Sequence, residues 1–153
     1  MGMQQKAIVI GGLVAVFILP IVGYLIWKSN IAPVAGPERS LMLEAKDGGL
    51  IAVADPQQSG EFLLREGIYV KRATRFEILY NTIGKGSFEI RVWDSLNLNG
   101  ARTLAEQDLL RILNVSEAEM CQLDVTLTVP EVVNRSLAGK NYGLSFCEDG
   151  KSF

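Results

Sequence analysis

Histidine is absent from the sequence. Its imidazole is the commonest general base in enzymes and the commonest metal ligand, so this absence argues against catalysis and against a zinc site. The sequence also contains no nucleophile elbow, no Walker sequence and no dinucleotide-binding glycine fingerprint. It therefore predicts a non-enzymatic protein that needs no cofactor and no metal.

Cysteine is scarce, since Cys121 and Cys147 are the only two and form no C-x-x-C motif. In an oxidising compartment they would form one disulfide, worth ~3 kcal/mol by constraining the unfolded chain. Otherwise they would be two small buried thiols. Alternation places Cys121 on the apolar face of a predicted strand and Cys147 on the face opposite Phe146. A bridge therefore requires one cysteine to lie just beyond the end of its strand.

Neither sign of charge dominates the sequence, which has 15 basic and 17 acidic residues and a net charge of −2. Proteins that bind nucleic acid usually present a basic patch or stripe, so no nucleic-acid partner is expected. One local group of basic residues would suit a lipid head group or a protein partner. It consists of Arg65, Lys71, Arg72 and Arg75, with acidic residues interleaved. A solvated face is the favoured interpretation of this group.

One long segment carries no charge: residues 7–27 read AIVIGGLVAVFILPIVGYLIW, between Lys6 and Lys28. At 1.5 Å per residue, a helix of this length spans about 30 Å, the thickness of the hydrocarbon core of a bilayer. Its aromatic residues lie near one end, where an interfacial belt is expected. The sequence therefore predicts a transmembrane helix over residues 7–28.

The length and the flanks of this segment separate it from a cleaved signal peptide. A signal peptide has a shorter apolar region, of about 7–15 residues, before an A-x-A-like site. Here the small residues that follow are confined between Pro33 and Pro37. Gly11, Gly12 and Ala15 would instead let a neighbouring helix approach closely. The predicted partners are the lipid bilayer and other protein subunits of a membrane assembly, or further copies of this chain.

A different interpretation starts from Lys6-Ala7-Ile8-Val9, which is followed by the uncharged stretch. This segment resembles the processing site of archaeal type IV pilin-like precursors. The resemblance implies a filament subunit whose N-terminal helix packs in a filament core after processing. It covers this segment alone, and the acidic residue that bacterial pilins carry near the start of the helix is absent.

The rest of the chain divides into a spacer and one domain. Residues 1–6 form a short tail, residues 29–39 a linker with two prolines and a glycine, and residues 40–153 a domain of ordinary size. Basic residues are balanced on the two sides of the predicted span, and the short tail favours a cytoplasmic N-terminus. The domain is then expected outside the cytoplasm, where a disulfide can form.

Alternating apolar and polar residues dominate the domain. Asp47-Gly48-Gly49 predicts a hairpin turn between two strands. Further alternation predicts strands over residues 74–80, 87–93, 121–129 and 141–146. This pattern is typical of antiparallel sheets with one face in solvent. We therefore expect a mainly β domain resembling an antiparallel sandwich, of which the immunoglobulin fold is one form, with one short helix.

Two capping boxes mark the helical part of the domain. Thr103-x-x-Glu106 precedes apolar residues at helical spacing, and Ser116-x-x-Glu119 would open a short second turn. The segment from Ser95 to Glu106 also resembles an EF-hand calcium loop, with oxygen-bearing side chains at the third, fifth and twelfth positions. Because a serine replaces the first aspartate and a strand precedes the loop, a turn leading into a capped helix is favoured.

These observations predict a non-enzymatic, single-pass membrane-anchored accessory or structural subunit of a larger membrane or envelope assembly. Its β domain would make protein contacts outside the cytoplasm. The alternative is the pilin-like filament subunit. A calcium-regulated module or an enzyme without histidine is the third and least favoured class.

Overall fold

The computed structural model describes residues 37–153. The predicted tail (residues 1–6), the predicted transmembrane helix (residues 7–28) and most of the predicted linker lie outside the described residues. Among residues 37–153, no helix combines the length and the hydrophobicity that a membrane crossing requires. The described part of the chain corresponds to the predicted β domain.

The first two strands form a hairpin. Strand β1 (Arg39–Glu44) pairs antiparallel with β2 (Leu50–Ala54). In the turn, Gly49 N donates to Asp47 Oδ1 at 2.8 Å. Gly48 has a φ of 86°, which a side chain would tolerate poorly. The hairpin predicted from Asp47-Gly48-Gly49 is therefore confirmed.

A five-stranded sheet makes up the larger part of the domain. Across the sheet its strands are β3 (Leu63–Arg65), β4 (Ile68–Arg72), β5 (Phe76–Asn81), β6 (Ser87–Val92) and β7 (Val125–Thr128). The pairs from β3 to β6 are antiparallel, whereas β6 and β7 are parallel. The sheet is therefore mixed. The prediction of an antiparallel arrangement throughout is wrong for the β6–β7 pair. The cause is a helical crossover between β6 and β7, which returns the chain in the same direction. An immunoglobulin fold has no such connection.

Helix α1 (Leu98–Leu113) forms most of that crossover. Its N-cap is Asn97, whose Oδ1 accepts a hydrogen bond from Gly100 N at 2.9 Å. The predicted start at Thr103 is wrong: that residue lies inside the helix, where its hydroxyl donates to Asn99 O at 3.1 Å. A threonine can bond to the backbone within a helix as well as at its cap, so the sequence pattern was ambiguous.

A second, short helix follows, α2 (Glu117–Gln122), and its predicted capping box is present. Ser116 N donates to Glu119 Oε2 at 2.8 Å, and Glu119 N donates back to the serine hydroxyl. Glu119 also accepts from Arg39 Nη1 at 2.8 Å. The arginine and the cap lower the pKa of Glu119 to about 2. This charged contact attaches the start of β1 to α2.

One hydrophobic core joins these elements. Helix α1 packs on one face of the five-stranded sheet, against β5 and β6. Fully buried residues from the sheet and the helices fill the interface, among them Ile78, Ile90, Leu109, Leu113, Met120 and Leu127. Leu43 and Val53 of the first hairpin belong to the same cluster. The prediction of a mainly β domain is confirmed, and the domain contains two sheets; the face of the larger sheet is covered by α1, so the predicted packing of one antiparallel sheet on another is not what covers it.

The last two predicted strands differ from the structure. Cys121 belongs to α2, and the strand predicted over residues 121–129 begins only at Val125. Residues 141–146 form no strand, although Tyr142 and Leu144 are buried. Tyr142 and Leu144 enter the core from irregular chain, in which the residue between them is a buried glycine and there is no ladder of backbone hydrogen bonds. The sequence pattern cannot distinguish such a segment from a strand.

Candidate functional site: the two edges of the five-stranded sheet

The five-stranded sheet ends at β3 on one side and at β7 on the other. An edge strand leaves backbone N–H and C=O groups that can pair with another chain. Edges are therefore common binding sites, and proteins often cover those that are not used. The two edges of this sheet differ in this respect.

The β7 edge is covered by the segment that follows it. Leu127, in the middle of β7, donates its N–H to Asn141 Oδ1 at 3.0 Å. Its carbonyl oxygen accepts from Tyr142 N at 2.9 Å. The side chain of Asn141 thus substitutes for a neighbouring strand, and no partner strand can reach Leu127.

A buried arginine on α1 holds this covering segment in place. Arg102 is 4% exposed. Its guanidinium donates to Gly143 O at 2.9 Å, to Tyr142 O at 3.3 Å and to Lys151 O at 2.6 Å. It also lies 5.4 Å from the centre of the Phe153 ring. One cation therefore satisfies three carbonyl groups of an irregular segment that has no ladder of its own.

The negative partner of Arg102 is Glu106, one turn further along α1 and 3% exposed. Its Oε1 lies 2.9 Å from Arg102 Nε and accepts from Ser145 N at 2.7 Å. Its Oε2 accepts from the Ser145 hydroxyl at 2.5 Å. Both carboxylate oxygens are thus occupied by donors from the protein, so Glu106 is not free to serve as the last ligand of a calcium loop. Residues 37–153 contain no cluster of acidic, cysteine or histidine side chains suited to a metal ion.

A disulfide closes the same region. Cys121 at the end of α2 and Cys147 in the covering segment are bonded, with their Cα atoms 5.6 Å apart. Cys121 lies in a helix and Cys147 in a turn, so the alternation of faces along a strand does not limit their bonding. Asn141, the Arg102–Glu106 pair and the disulfide together attach the covering segment at three separate points.

The β3 edge is open and carries apolar side chains. Leu63 and Leu64 are 62% and 60% exposed. They lie next to each other, and because side chains alternate along a strand they project from opposite faces of the sheet. Exposed leucines on an edge strand are a recognised feature of association sites.

The backbone of Leu64 faces outward from this edge. Glu66 and Gly67 have φ values of 49° and 83° and form a two-residue turn between Arg65 and Ile68. In such a hairpin the residues that flank the turn exchange both hydrogen bonds, and the next pair exchanges none. The N–H and C=O of Leu64 therefore point away from β4. No loop or turn backbone bond within residues 37–153 involves them.

A neutral charge network supports the chain just before β3. Lys71 pairs with Glu61 and lies 2.5 Å from Asp108 Oδ2. Arg111 Nη2 lies 2.8 Å from Glu61 Oε2 and 2.7 Å from Asp108 Oδ1. Burial raises the pKa of Glu61, but hydrogen bonds from Lys71 and Arg111 outweigh it and lower the pKa below its usual value. The network fixes the approach to β3 and leaves the edge itself uncovered.

The basic residues noted in the sequence do not form one patch. Lys71 belongs to the network beside α1, Arg72 Nε lies 2.6 Å from Glu77 Oε1, and Arg75 Nε lies 3.5 Å from Asp94 Oδ2. Arg65 is exposed on β3, and no ion pair involving it occurs within residues 37–153. Three of the four charges are thus locally balanced.

Charges on the outer face of the sheet, opposite α1, are also balanced. Arg91 Nε lies 2.8 Å from Glu89 Oε1. The same oxygen accepts from Thr128 Oγ1 at 3.2 Å. Polar side chains thus engage one another across β6 and β7. This face is suited to solvent, whereas the β3 edge carries exposed leucines.

Sequence reasoning missed most of these features. Arg102 is not among the predicted site residues, although its spacing of four from Glu106 places both on one helix face. Asn141 gave no signal, because the sequence pattern includes it in a predicted strand over residues 141–146. The proposed helix-packing residues Gly11, Gly12 and Ala15 lie outside the described residues.

No protein-family model matches the chain, and no curated protein or solved structure is significantly similar to it.

Proposed function

We propose that this chain is a non-enzymatic, single-pass membrane-anchored accessory or structural subunit of a larger membrane or envelope assembly. Its β domain makes protein contacts through the open β3 edge. The observation that carries the proposal is the difference between the edges: β7 is covered by side-chain and backbone partners, whereas β3 exposes Leu63 and Leu64. An uncovered apolar edge in a domain that protects its other edge is best explained by a partner.

The anchoring part of the proposal is supported by the sequence. Residues 7–27 contain no charged side chain, and a charge inside the hydrocarbon core would be costly. Residues 7–28 are proposed to form the transmembrane helix, with Gly11, Gly12 and Ala15 on a surface that packs against another helix. The bilayer is then one partner and a protein subunit the other.

The location of the domain is proposed from its disulfide. Bridges such as Cys121–Cys147 persist in oxidising compartments and are rare in the cytoplasm. The domain is therefore proposed to lie outside the cytoplasm. A nucleic-acid partner is not proposed, because the net charge is −2 and the basic side chains of the described region are mostly paired.

The experiment is purification of the full chain from its native membrane in mild detergent, with two variants. Leu64→Arg places a charge at the open edge, and Leu96→Arg makes the same change at a loop leucine that is 97% exposed. We expect the wild type and Leu96→Arg to migrate as a stoichiometric complex, and Leu64→Arg to lose it. A wild-type chain that is strictly monomeric and has no co-purifying subunit would refute the proposal.

The second candidate is a pilin-like filament subunit, favoured by Lys6-Ala7-Ile8-Val9 ahead of the uncharged stretch. Here the helix would pack in a filament core and the β domain would form the outer coat. Mass spectrometry of the mature N-terminus separates the two candidates. A chain that begins at Ala7 or Ile8 supports the filament, and retention of Met1 supports the anchored subunit.

A further inference from the structure

We propose that the partner at the open edge is a second copy of this chain, whose β3 pairs antiparallel with β3 about a two-fold axis at Leu64. This inference rests on the proposed function, because it assumes that the open edge makes a protein contact. It adds the identity of the partner, the direction of the strands and their register.

The register follows from the parity of the two faces. In an antiparallel pair, residues that face each other project from the same side of the sheet. A two-fold axis perpendicular to the sheet keeps the helix-covered faces of both copies on one side. Leu64 must then face Leu64 of the second copy, and Leu63 must face its Arg65. A shift by one residue would set Leu63 opposite Leu64, whose side chains project from different faces.

This register also pairs the free backbone groups. The N–H and the C=O of Leu64 both point toward the open edge, as the turn geometry requires. At the two-fold axis, each Leu64 N–H donates to the C=O of the other Leu64. Two reciprocal hydrogen bonds then form, and both outward groups of the strand are satisfied.

The shortness of β3 favours a second copy over a long peptide. The strand has three residues, and only its central residue directs its backbone groups outward. A longer partner strand would gain no further bonds along this edge. A symmetric contact uses the outward N–H and C=O of Leu64 in both copies. It also covers the exposed leucines of both copies.

The side chains are compatible with this arrangement. Leu64 meets Leu64 on the side that α1 covers. On the outer side, Arg65 lies along Leu63 of the second copy, where its methylene groups cover the leucine while the guanidinium stays in water. Arg65 has no ion-pair partner within residues 37–153, so its side chain is available for this contact.

A contact of this size needs a second attachment. Stable interfaces bury more than about 1,000 Å², and a pair of three-residue strands falls short of that. In this chain the predicted span supplies the attachment, since Gly11, Gly12 and Ala15 would allow two spans to pack. When two weak contacts are linked in one chain, formation of the first raises the effective concentration of the surfaces that form the second. The dimer is therefore expected for the full chain in a membrane.

The test is cysteine cross-linking of the full chain in membranes, under the mild oxidant Cu²⁺–phenanthroline. In the proposed register, the two residues at position 64 form a hydrogen-bonded pair with Cα atoms about 5.5 Å apart, within reach of a disulfide. Leu64→Cys should therefore yield a covalent dimer. Leu63→Cys alone should not, whereas Leu63→Cys in one copy and Arg65→Cys in the other should cross-link.

The matched control is Leu96→Cys, an exposed leucine outside the edge. We expect at least about tenfold more dimer for Leu64→Cys than for this control, because the proposed pairing holds the two Cα atoms at position 64 within reach of a disulfide and does not bring position 96 of the two copies together. Mass spectrometry of each variant should show that the Cys121–Cys147 bridge is retained, so that folding is verified in the same sample.

Equal cross-linking at positions 64 and 96, or more dimer for Leu63→Cys than for Leu64→Cys, would overturn the inference. A cross-link from position 64 to a different protein would also overturn it, but would leave the proposed function intact. Loss of all cross-links together with a monomeric wild type would remove both.

Discussion

The two edges of the five-stranded sheet differ in whether their outward backbone N–H and C=O groups have hydrogen-bond partners within the domain. At β7, the N–H and C=O of Leu127 are bonded to Asn141 and Tyr142. At β3, the N–H and C=O of Leu64 point outward, and the side chains of Leu63 and Leu64 are exposed. Helix α1, a buried ion pair and a disulfide hold the segment that covers the closed edge, whereas at the open edge a two-residue turn directs the Leu64 groups outward. An edge is therefore closed by the contacts made around it, and the β propensity of its residues does not decide the matter.

The largest test of this comparison removes the cation behind the closed edge. Arg102→Met should lower the free energy of unfolding by about 3–5 kcal/mol, because it leaves the Glu106 carboxylate buried without its partner. It also removes the donor to three carbonyl groups. Urea denaturation of the domain measures the change.

The chain offers a matched control for this variant. Arg135 pairs with Glu131 at the same spacing of four and at 2.8 Å, but its side chain is 89% exposed. Arg135→Met should change stability by less than about 1 kcal/mol. Similar losses for both arginines would show that burial does not determine the effect, and that the covering segment depends on other contacts.

A smaller effect is expected from Asn141→Ala, which removes the acceptor of the Leu127 N–H. The loss should be about 1 kcal/mol, in the range of a single hydrogen bond. Hydrogen exchange reports the site directly. In the wild type the Leu127 amide should exchange slowly, and in the variant it should exchange much faster.

In the same hydrogen-exchange measurement, the Leu64 amide at the β3 edge serves as the reference for an amide without a partner in the domain. The Leu64 amide of the isolated domain should exchange rapidly in both proteins, since it has no partner in the domain. Slow exchange at Leu64 in a monomeric domain would contradict the description of β3 as open.

The smallest effect concerns the support of β3 and depends on pH. The pKa of Glu61 is lower than 4.5 in the folded domain, because hydrogen bonds from Lys71 and Arg111 outweigh the effect of burial. Its contribution to stability is therefore present above the usual glutamate pKa and is lost as pH falls through the folded pKa. Glu61→Gln should cost less than about 1 kcal/mol at pH 7, and the difference from the wild type should shrink below pH 4.5.

Thermal unfolding of both proteins between pH 7 and pH 3 measures this difference. Glu131→Gln is the control, because its carboxylate is exposed and pairs with one exposed arginine. If the difference in unfolding temperature between the wild type and Glu61→Gln instead increased toward low pH, Glu61 would not be stabilised as an anion.

Local patterns of the sequence predicted local structure well. The Asp47-Gly48-Gly49 turn, the strands that became β5 and β6 and the Ser116 capping box all depend on neighbouring residues, and all are present. The start of α1 was misplaced because Thr103 and Asn97 offer competing caps. The strand predicted to begin at Cys121 begins four residues later, since apolar alternation continues through the end of α2.

The features that define the two edges could not be read from the sequence. The parallel pairing of β7 with β6 joins residues far apart in the chain. Asn141 matters only because Leu127 lies beside it, and Arg102 only because a segment 40 residues away brings its carbonyl groups to α1. Such contacts arise from tertiary packing, which periodicity does not encode. The predicted span and its packing residues stay predictions.

The parallel pair of β6 and β7 has a consequence for the order of folding. Strands β3 to β6 follow one another and can assemble with short loops, which is entropically cheap. Strand β7 reaches β6 only through the crossover that contains both helices, and contacts between residues so far apart in the chain form slowly. We therefore expect a refolding domain to acquire its antiparallel strands first. In that interval the side of β6 that later receives β7 is a second unpaired edge, exposed until the crossover is complete.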